Sequence, residues 1–476
     1  MTDLASELRD IERKLFEIPD EKVAQLTMLI ERSRAVVMSA AMANAALGTL
    51  RPRLTKTRPP RYLSLQRVFC HPFEDLLVLA DGDKQFARVA RRSLTPVWDF
   101  LTARLDAAAV KELEAALRAA PSPDMGLHAD PRIPRLGPKL WDVSAKLLRA
   151  ELSKAAADAA HKDAMLHELG GEAVLADLAD IVAVLELALP LEALREELSP
   201  KPVGRLLEPQ VEAIKQAYAD LLAANAAYPG YLIAVVIARL SDGFQALPIC
   251  DGMGDVPTGI EGMKPGQFAR AMLSGDCKRF LGNVSKTDPE KVSDANVADM
   301  VGDFAHLLSR LKQDGMAEGA EREIQAATQQ LKHMVKSNVL GGIDGKVMGG
   351  VSAVLSAPAA GAEATADPEA AKQAVFDAKL EAENRVFALQ RVAKVAGEIG
   401  AEKDVAGALK DLTGQIETTG SALIADIKAG KLNADGKEAA KVKLFAALRM
   451  LELVAGSHAA SRLMKDGLAA IARMPG

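Results

Sequence analysis

The chain has 476 residues, of which 49% are hydrophobic but only 4% aromatic, and 59 Lys and Arg stand against 64 Asp and Glu, for a net charge of −5. The high hydrophobic fraction excludes a wholly disordered chain, and the shortage of aromatic and β-branched residues argues against a β-sandwich or barrel. A weakly acidic chain is also not a bulk polyanion binder. We expect an all-α fold, a multi-domain helical bundle with little or no β-sheet, with a degenerate α-solenoid as the open alternative.

Two amphipathic helices with narrow apolar seams open the chain. Apolar residues recur at alternating spacings of four and three over residues 3–18, Pro19 ends that helix, and a second helix covers about residues 20–48. Such seams are typical of an ordinary bundle, but they also fit a coiled-coil contact that would make a homo-oligomer. The residues predicted to mediate self-association are Leu8, Ile11, Leu15, Val23, Leu26, Ile30 and Val37.

A basic segment follows, and it is the clearest electrostatic feature of the sequence. Residues 32–92 have a net charge of +8, which leaves −13 for the rest of the chain. Prolines between residues 51 and 63 keep the backbone extended, and arginine is suited to bidentate contacts with phosphate or carboxylate. The candidate residues for binding a partner or phosphate groups are Arg51, Arg53, Lys56, Arg58, Arg61 and Arg67.

Several kinds of partner fit this basic segment. Its cations could pair with acidic helices of the same chain, bind an acidic protein partner, or contact nucleic acid or anionic lipid. Single-stranded nucleic acid is usually held by aromatic stacking as well, and only Tyr62 lies within residues 51–67. The chain's own acidic helices or an acidic protein are therefore the first expectation, and nucleic acid is the alternative.

Further helices are predicted along the middle of the chain. Thr95 and Pro96 have the pattern of an N-cap followed by proline at the first helical position. After the proline-rich stretch 121–138, a helical pattern resumes at Lys139. The apolar run over residues 231–240 is β-branched enough for a strand, but its length favours a buried helix.

Residues 248–280 are the region where an enzymatic site would lie, as a further alternative function. This glycine-rich region holds the weak candidates Asp251, Asp255, Asp276 and Cys277. The cations that follow Cys277 could lower the pKa of its thiol, but no partner base can be assigned. An enzyme is therefore the less expected interpretation, and neither a cofactor nor a metal is expected, because no histidine has companions at ligand spacing.

Glycine and small residues divide the C-terminal part of the chain. Residues 341–350 are expected to form a glycine-rich turn, and the Ala-, Gly- and Pro-rich stretch 356–367 is typical of a linker. A long helix should start at Asp367 and Pro368. Later helix breaks are predicted at Gly414, Gly420, Gly430 and Gly456.

These boundaries predict four segments. They are residues 1–120, with the helical hairpin, the basic connector and further helices; 139–355, a central helical domain; 356–367, the linker; and 368–476, a C-terminal helical bundle.

Cysteine and hydropathy patterns bear on location and function. Cys70, Cys250 and Cys277 are odd in number and lack CxxC spacing, which favours a reducing, cytoplasmic location. No transmembrane helix is expected, because the apolar runs are too short or contain acidic residues. The seam-bearing helices, the linker and the lack of a catalytic signature favour a non-enzymatic scaffold or adaptor that binds a protein partner.

Overall fold

The chain divides into two compact units. Pro59–Arg279 form the middle unit, and Phe280–Gly476, grouped with Met1–Arg58, form the C-terminal unit. Helices dominate both, which confirms the predicted all-α fold. The computed structural model describes residues 63–78, 86–119, 132–256, 262–356, 368–432 and 436–474, and the single positions 15, 18, 22, 23, 26, 27, 30, 47, 50 and 53.

The described residues of the middle unit form helices of 5 to 26 residues and one small parallel strand pair. Leu77 lies opposite Val89 in that pair. The elements are α1 (Leu65–Cys70), β1 (Leu77–Val78), β2 (Val89–Ala90), α2 (Leu94–Thr102), α3 (Ala107–Ala119), α4 (Arg132–Ala157), α5 (Ala159–Leu169), α6 (Glu172–Glu186), α7 (Ala188–Glu197), α8 (Glu208–Ala224), α9 (Pro229–Arg239), α10 (Leu247–Asp251) and α11 (Pro265–Lys286), within which the unit boundary falls.

Helix α9 confirms the buried helix predicted for the apolar run near residue 231. Every residue from Pro229 to Ile237 is buried. A helix that is apolar on all sides is stable in water only when other elements cover its whole circumference. Length therefore decided correctly between strand and helix for this run.

Two predicted helix starts were wrong, for different physical reasons. Helix α2 begins at Leu94, so Thr95 is not its N-cap; instead the Ser93 hydroxyl donates to the Asp177 carboxylate of α6 at 2.6 Å. Helix α4 begins at Arg132, seven residues before Lys139, with two prolines in its first turns. The first four N–H groups of a helix have no intrahelical partner, so Pro134 is tolerated there, whereas Pro138 lies inside the helix.

A buried carboxylate ties together several segments of the middle unit. The Asp75 side chain, next to β1, is only 2% exposed. Its Oδ2 accepts from Arg195 of α7 at 2.8 Å and from Arg239 of α9 at 3.2 Å, and its Oδ1 accepts from Lys201 at 2.8 Å. Burial alone would raise the pKa of Asp75, but these three cations hold that pKa below its ordinary value of 3.8.

The same cations also satisfy backbone carbonyls of irregular segments. Arg195 donates to the carbonyl oxygens of His71 at 3.3 Å and Pro72 at 2.7 Å, and Arg239 donates to that of Leu198 at 3.1 Å. Buried carbonyls outside regular helices need such partners. The ion cluster therefore fixes the short 3₁₀ turn at His71–Phe73 before β1 and the chain that follows α7.

The C-terminal unit is a bundle around one large apolar core. Phe304, Met334, Leu389 and Leu451 are among its fully buried residues. Its helices are α12 (Asp294–Gln313), α13 (Glu321–Met334), which continues through a π turn at Val335–Val339, α14 (Ile343–Ser356), α15 (Pro368–Ala393), α16 (Glu402–Lys428), α17 (Gly436–Ala455) and α18 (Ser457–Ala472).

Glycines let the helices of this bundle approach each other closely. A Cβ added at Gly350 of α14 would lie 2.5 Å from the Cβ of Ala382 on α15. A Cβ at Gly420 of α16 would lie 2.4 Å from Leu463, and a Cβ at Gly467 of α18 would lie 2.5 Å from Leu444. At each of these glycines, atoms of a neighbouring helix occupy the space that a Cβ would need. Each glycine therefore marks a close contact between two helices.

This packing explains two wrong predictions about glycine. Residues 341–350 are a turn only at their start, where Gly342 has a φ of +63°, and the rest belongs to α14. Helix α16 runs without interruption through Gly414 and Gly420. Leu463 covers Gly420, and although Gly414 has open space beside it, packing of the rest of α16 outweighs the low helix propensity of glycine. Gly430 and Gly456 do end helices, with φ of +75° and +87°.

Helices on both sides of the predicted linker belong to the C-terminal unit. Residues 357–367 lie outside the described residues, but α14 before them packs against α15 after them, as at Gly350 and Ala382. The predicted four-segment division differs from the two compact units and stays a prediction about how the chain is organised.

One stretch of the described chain is long and apolar enough to cross a membrane. Glu321–Ser356 has a mean hydropathy of 1.2 in its best 18-residue window. The structure places it as α13, the π turn and α14, with Val335, Val339 and Val347 buried in the core. Such a stretch is weak evidence for a membrane span, because core helices of soluble proteins meet the same criterion.

Adjacent glycines in α14 provide a matched test of the close packing. We expect Gly350→Ala to destabilise the protein by about 1–3 kcal/mol, because the new methyl group would overlap Ala382 and the Ala378 carbonyl. Gly349→Ala has open space and should instead stabilise by up to about 1 kcal/mol through helix propensity. Denaturant unfolding followed by circular dichroism measures both. Equal effects of the two substitutions would contradict the packing.

Removing the buried carboxylate should strongly destabilise the middle unit. Asp75→Ala leaves three cations without their shared partner, and we expect a loss of about 3–5 kcal/mol. The neighbouring Glu74 is 57% exposed, so Glu74→Ala should cost less than about 1 kcal/mol. Faster hydrogen exchange of the α7 and α9 amides would report the loss of stability within this unit.

The stabilisation from Asp75 should also depend on pH. Its pKa is lower in the folded protein than the ordinary 3.8, so the unfolded chain takes up the proton first. The difference in free energy of unfolding between wild type and Asp75→Ala should therefore have its full value well above pH 3.8. It should decrease as the pH falls below 3.8. A difference that stays constant down to acidic pH would show that the ion pairs contribute nothing.

Candidate interaction groove

Helix α17 has apolar residues on two faces. On one face, Leu444, Leu451 and Val454 are buried in the core of the C-terminal unit. On the other, Val442 is 61% exposed and Phe445 is 48% exposed. A helix in a soluble bundle usually has one apolar stripe and a polar outer face. The second apolar face therefore requires an explanation other than the packing of this unit.

This outer face lines a groove with a volume of about 740 Å³, formed by α15, α17, α18 and the end of α14. Large side chains line it from three helices, namely Phe376 of α15, Phe445 of α17 and Met464 of α18. The rest of the apolar lining includes small residues such as Ala446 and Ala460. The groove thus combines bulky apolar contacts with room for close approach.

Exposed large hydrophobic residues of the C-terminal unit are concentrated at this groove. Among the described residues of that unit, five large apolar side chains are exposed, and all five lie on α15, α17 and α18. Four of them line the groove directly, and Leu468 follows Met464 by one helical turn. They are Phe376, Val442, Phe445, Met464 and Leu468. A contiguous apolar patch of this kind is typical of a binding surface.

Charged groups lie at the groove beside these apolar residues. Lys379 and Arg449 line it, as does Glu452. The Arg449 Nη1 is 3.4 Å from the Glu452 carboxylate, and the Lys379 Nζ is 3.9 Å from that of Glu383. Both separations are long for ion pairs, and exposed pairs contribute little to stability. These two cations are therefore only loosely held by their neighbours.

The structure describes only two of the predicted basic binding residues. Arg53 donates to the backbone carbonyl oxygens of Leu15, at 2.8 Å, and of Ile18. Arg67 lies in α1, where its backbone N–H donates to the Ser64 hydroxyl that caps the helix. Arg51, Lys56, Arg58 and Arg61 lie outside the described residues, so the binding role of this segment stays a prediction.

Part of the predicted self-association seam is covered within a single chain. Leu15, Val23 and Ile30 form a small buried cluster with Leu47 and Leu50. Leu26 packs against that cluster and is partly buried. The remaining seam residues, Leu8, Ile11 and Val37, lie outside the described residues, and self-association through these helices stays a prediction.

The four candidates for an enzymatic site have separate environments. Asp251 pairs with Arg270 at 2.6 Å, Asp255 pairs with Lys264 at 2.9 Å, and both carboxylates are solvent-exposed. Asp276 pairs with Arg88 at 3.1 Å and with Arg279. Within the described residues, no group of His, Cys, Asp or Glu could hold a metal ion.

Cys277 also differs from the sequence-based expectation for its thiol. Burial, with a further contribution from Asp276, raises its pKa to about 12. The cations beside it in sequence do not lower the pKa, since Arg279 pairs with the Asp276 carboxylate instead. A thiol of this kind is a poor nucleophile at neutral pH.

Sequence reasoning missed the groove residues, although a signal for them was present. Between Val442 and Val454, apolar residues occupy positions all around α17. A helix that is apolar on all sides must be covered on every side, as the structure shows for α9. The sequence of α17 therefore indicates that every face of this helix needs covering, and the structure shows that Val442 and Phe445 are left exposed.

Comparison with known proteins adds no functional information. No family model matches the chain, and neither curated proteins nor solved structures give a match.

Substitutions at two neighbouring residues of α17 test whether the side chains that line the groove contribute to the stability of the core. Leu444 is fully buried against Gly467, so Leu444→Ala should cost about 2–5 kcal/mol. Phe445 lies on the groove side, and Phe445→Ala should change stability by less than about 1 kcal/mol. Denaturant unfolding of the two variants gives this comparison. A large loss with Phe445→Ala would mean that Phe445 belongs to the folding core.

Proposed function

We propose that this protein is a helical scaffold or adaptor that binds a helical segment of a partner protein in the groove of the C-terminal unit. The proposal rests on one observation, the gathering of the unit's exposed large apolar side chains on α15, α17 and α18. The core of the unit is complete without them, because α17 buries its other face. The groove face is therefore available to another molecule.

The dimensions of the groove suit an α-helix. Its lining on α18 runs from Ser457 to Met464, and Leu468 extends the same face, about 16 Å along the helix axis. That length matches about three turns of a bound helix. Helix-in-groove recognition uses apolar anchors at spacings of three and four residues, which would meet Phe376, Phe445 and Met464.

Site-specific photo-crosslinking in cells that express the full-length chain tests this proposal. A photo-crosslinking amino acid in place of Val442 should give a discrete protein adduct, and Phe445→Asp in the same chain should abolish it. Val143 of α4, which is also exposed, provides the matched control position and should give no such adduct. Nuclease treatment before electrophoresis should leave the adduct unchanged.

Three outcomes would contradict the proposal. These are the same adducts from positions 442 and 143, an adduct at 442 that persists in the Phe445→Asp variant, and an adduct that disappears with nuclease. The last result would favour the nucleic-acid alternative. Circular dichroism of the Phe445→Asp variant establishes that loss of the adduct does not reflect unfolding.

A further inference from the structure

We infer that the helix recognised by the groove is amphipathic and carries acidic residues along one flank of its apolar face. This inference rests on the proposed function and specifies the chemistry of the partner. It follows from the positions of Lys379 and Arg449 beside the apolar lining and from the charge of the two helices that carry most of that lining.

The two groove cations are accessible to a ligand. The Lys379 side chain is 44% exposed and the Arg449 side chain is 37% exposed. Their acidic neighbours, Glu383 and Glu452, lie at 3.9 Å and 3.4 Å. A carboxylate on a docked helix could approach each cation more closely, in a site from which the helix excludes water and so strengthens the interaction.

The surrounding helices reinforce this preference over a longer range. Together α17 and α18 carry six Lys and Arg residues against three Asp and Glu residues. The cations are Lys437, Lys441, Arg449, Arg462 and Lys465, which are at least partly exposed, and the buried Lys443; the acidic residues are Glu438, Glu452 and Asp466. An excess of one sign beside a binding surface attracts partners of the opposite sign and repels those of the same sign.

The apolar lining determines what the other face of the bound helix must provide. Phe376, Phe445 and Met464 would contact large anchors such as Leu or Phe, and methionine adapts its shape to different anchors. Ala446 and Ala460 leave room for those anchors between the larger residues. The recognised helix should therefore have large apolar residues at i, i+3 or i+4, and i+7, with Glu or Asp beside them.

Two synthetic peptides test the inference on the full-length protein. Both are labelled amphipathic helices with Leu at the same i, i+3, i+4 and i+7 positions, and one has Glu along the flank where the other has Lys. Fluorescence anisotropy at low salt should show the Glu peptide binding about tenfold or more tightly than the Lys peptide. Added salt should reduce this ratio, because it screens the flank charges.

Charge reversal in the groove provides the second arm. The Lys379→Glu and Arg449→Glu double variant should reverse the preference and favour the Lys peptide. The matched control is Lys403→Glu with Lys410→Glu, two exposed positions on α16 that do not line the groove, and it should bind like wild type. Circular dichroism confirms that both double variants are folded.

The outcomes separate the inference from the proposed function. If both peptides bind equally and groove charge reversal has no effect, the acidic flank is wrong while the groove remains the binding site. If Phe445→Asp leaves binding of both peptides unchanged, the groove is not the site and both proposals fail. Dimers of the chain that Phe445→Asp abolishes in light scattering would overturn the inference in favour of a second copy as the occupant.

Discussion

Close helix contacts at glycine and alanine are the constraint on which the C-terminal unit depends. With only 4% aromatic residues, the chain has few large side chains to fill space between helices. Gly350, Gly420 and Gly467 each lie under a side chain or backbone of a neighbouring helix, so the helices approach more closely than larger residues would permit. Dispersion contacts then form over much of each helix surface, although individual side chains are small.

Because large side chains are scarce in this protein, the exposed aromatic residues of the C-terminal unit are unexpected. In a protein with twelve phenylalanines, burying Phe376 and Phe445 would add more apolar contact to the core than several alanines provide. Both instead lie outside a core that is already closed by Leu444, Leu448 and Leu451. Isolated exposed apolar residues are common on protein surfaces, but such a concentration on adjoining helices is not, and the proposed binding surface rests on it.

The middle unit depends on a buried ion cluster to hold its irregular segments. Its irregular segments cannot satisfy their own carbonyl groups, so Arg195 and Arg239 do so while sharing the Asp75 carboxylate. A buried charge cluster is costly to desolvate and stabilises only when its hydrogen bonds are complete. Here the cluster holds the 3₁₀ turn before β1 and the chain after α7 in place, whereas apolar packing determines where the helices of the C-terminal unit lie.

The sequence predicted the features that depend on local pattern and missed those that depend on partners distant in the chain. Composition indicated an all-α fold, and length identified α9 as a helix. The start of α2 was missed because Ser93 bonds to Asp177, and the continuity of α16 was missed because Leu463 covers Gly420. The groove was missed for the same reason, because it depends on contacts between residues distant in the chain. Buried and exposed apolar residues on α17 follow the same helical periodicity, and only the packed bundle shows that Leu444 faces a neighbour while Phe445 faces outward. A sequence can therefore show that a helix has apolar residues on two faces, but three-dimensional packing decides which of those faces stays exposed.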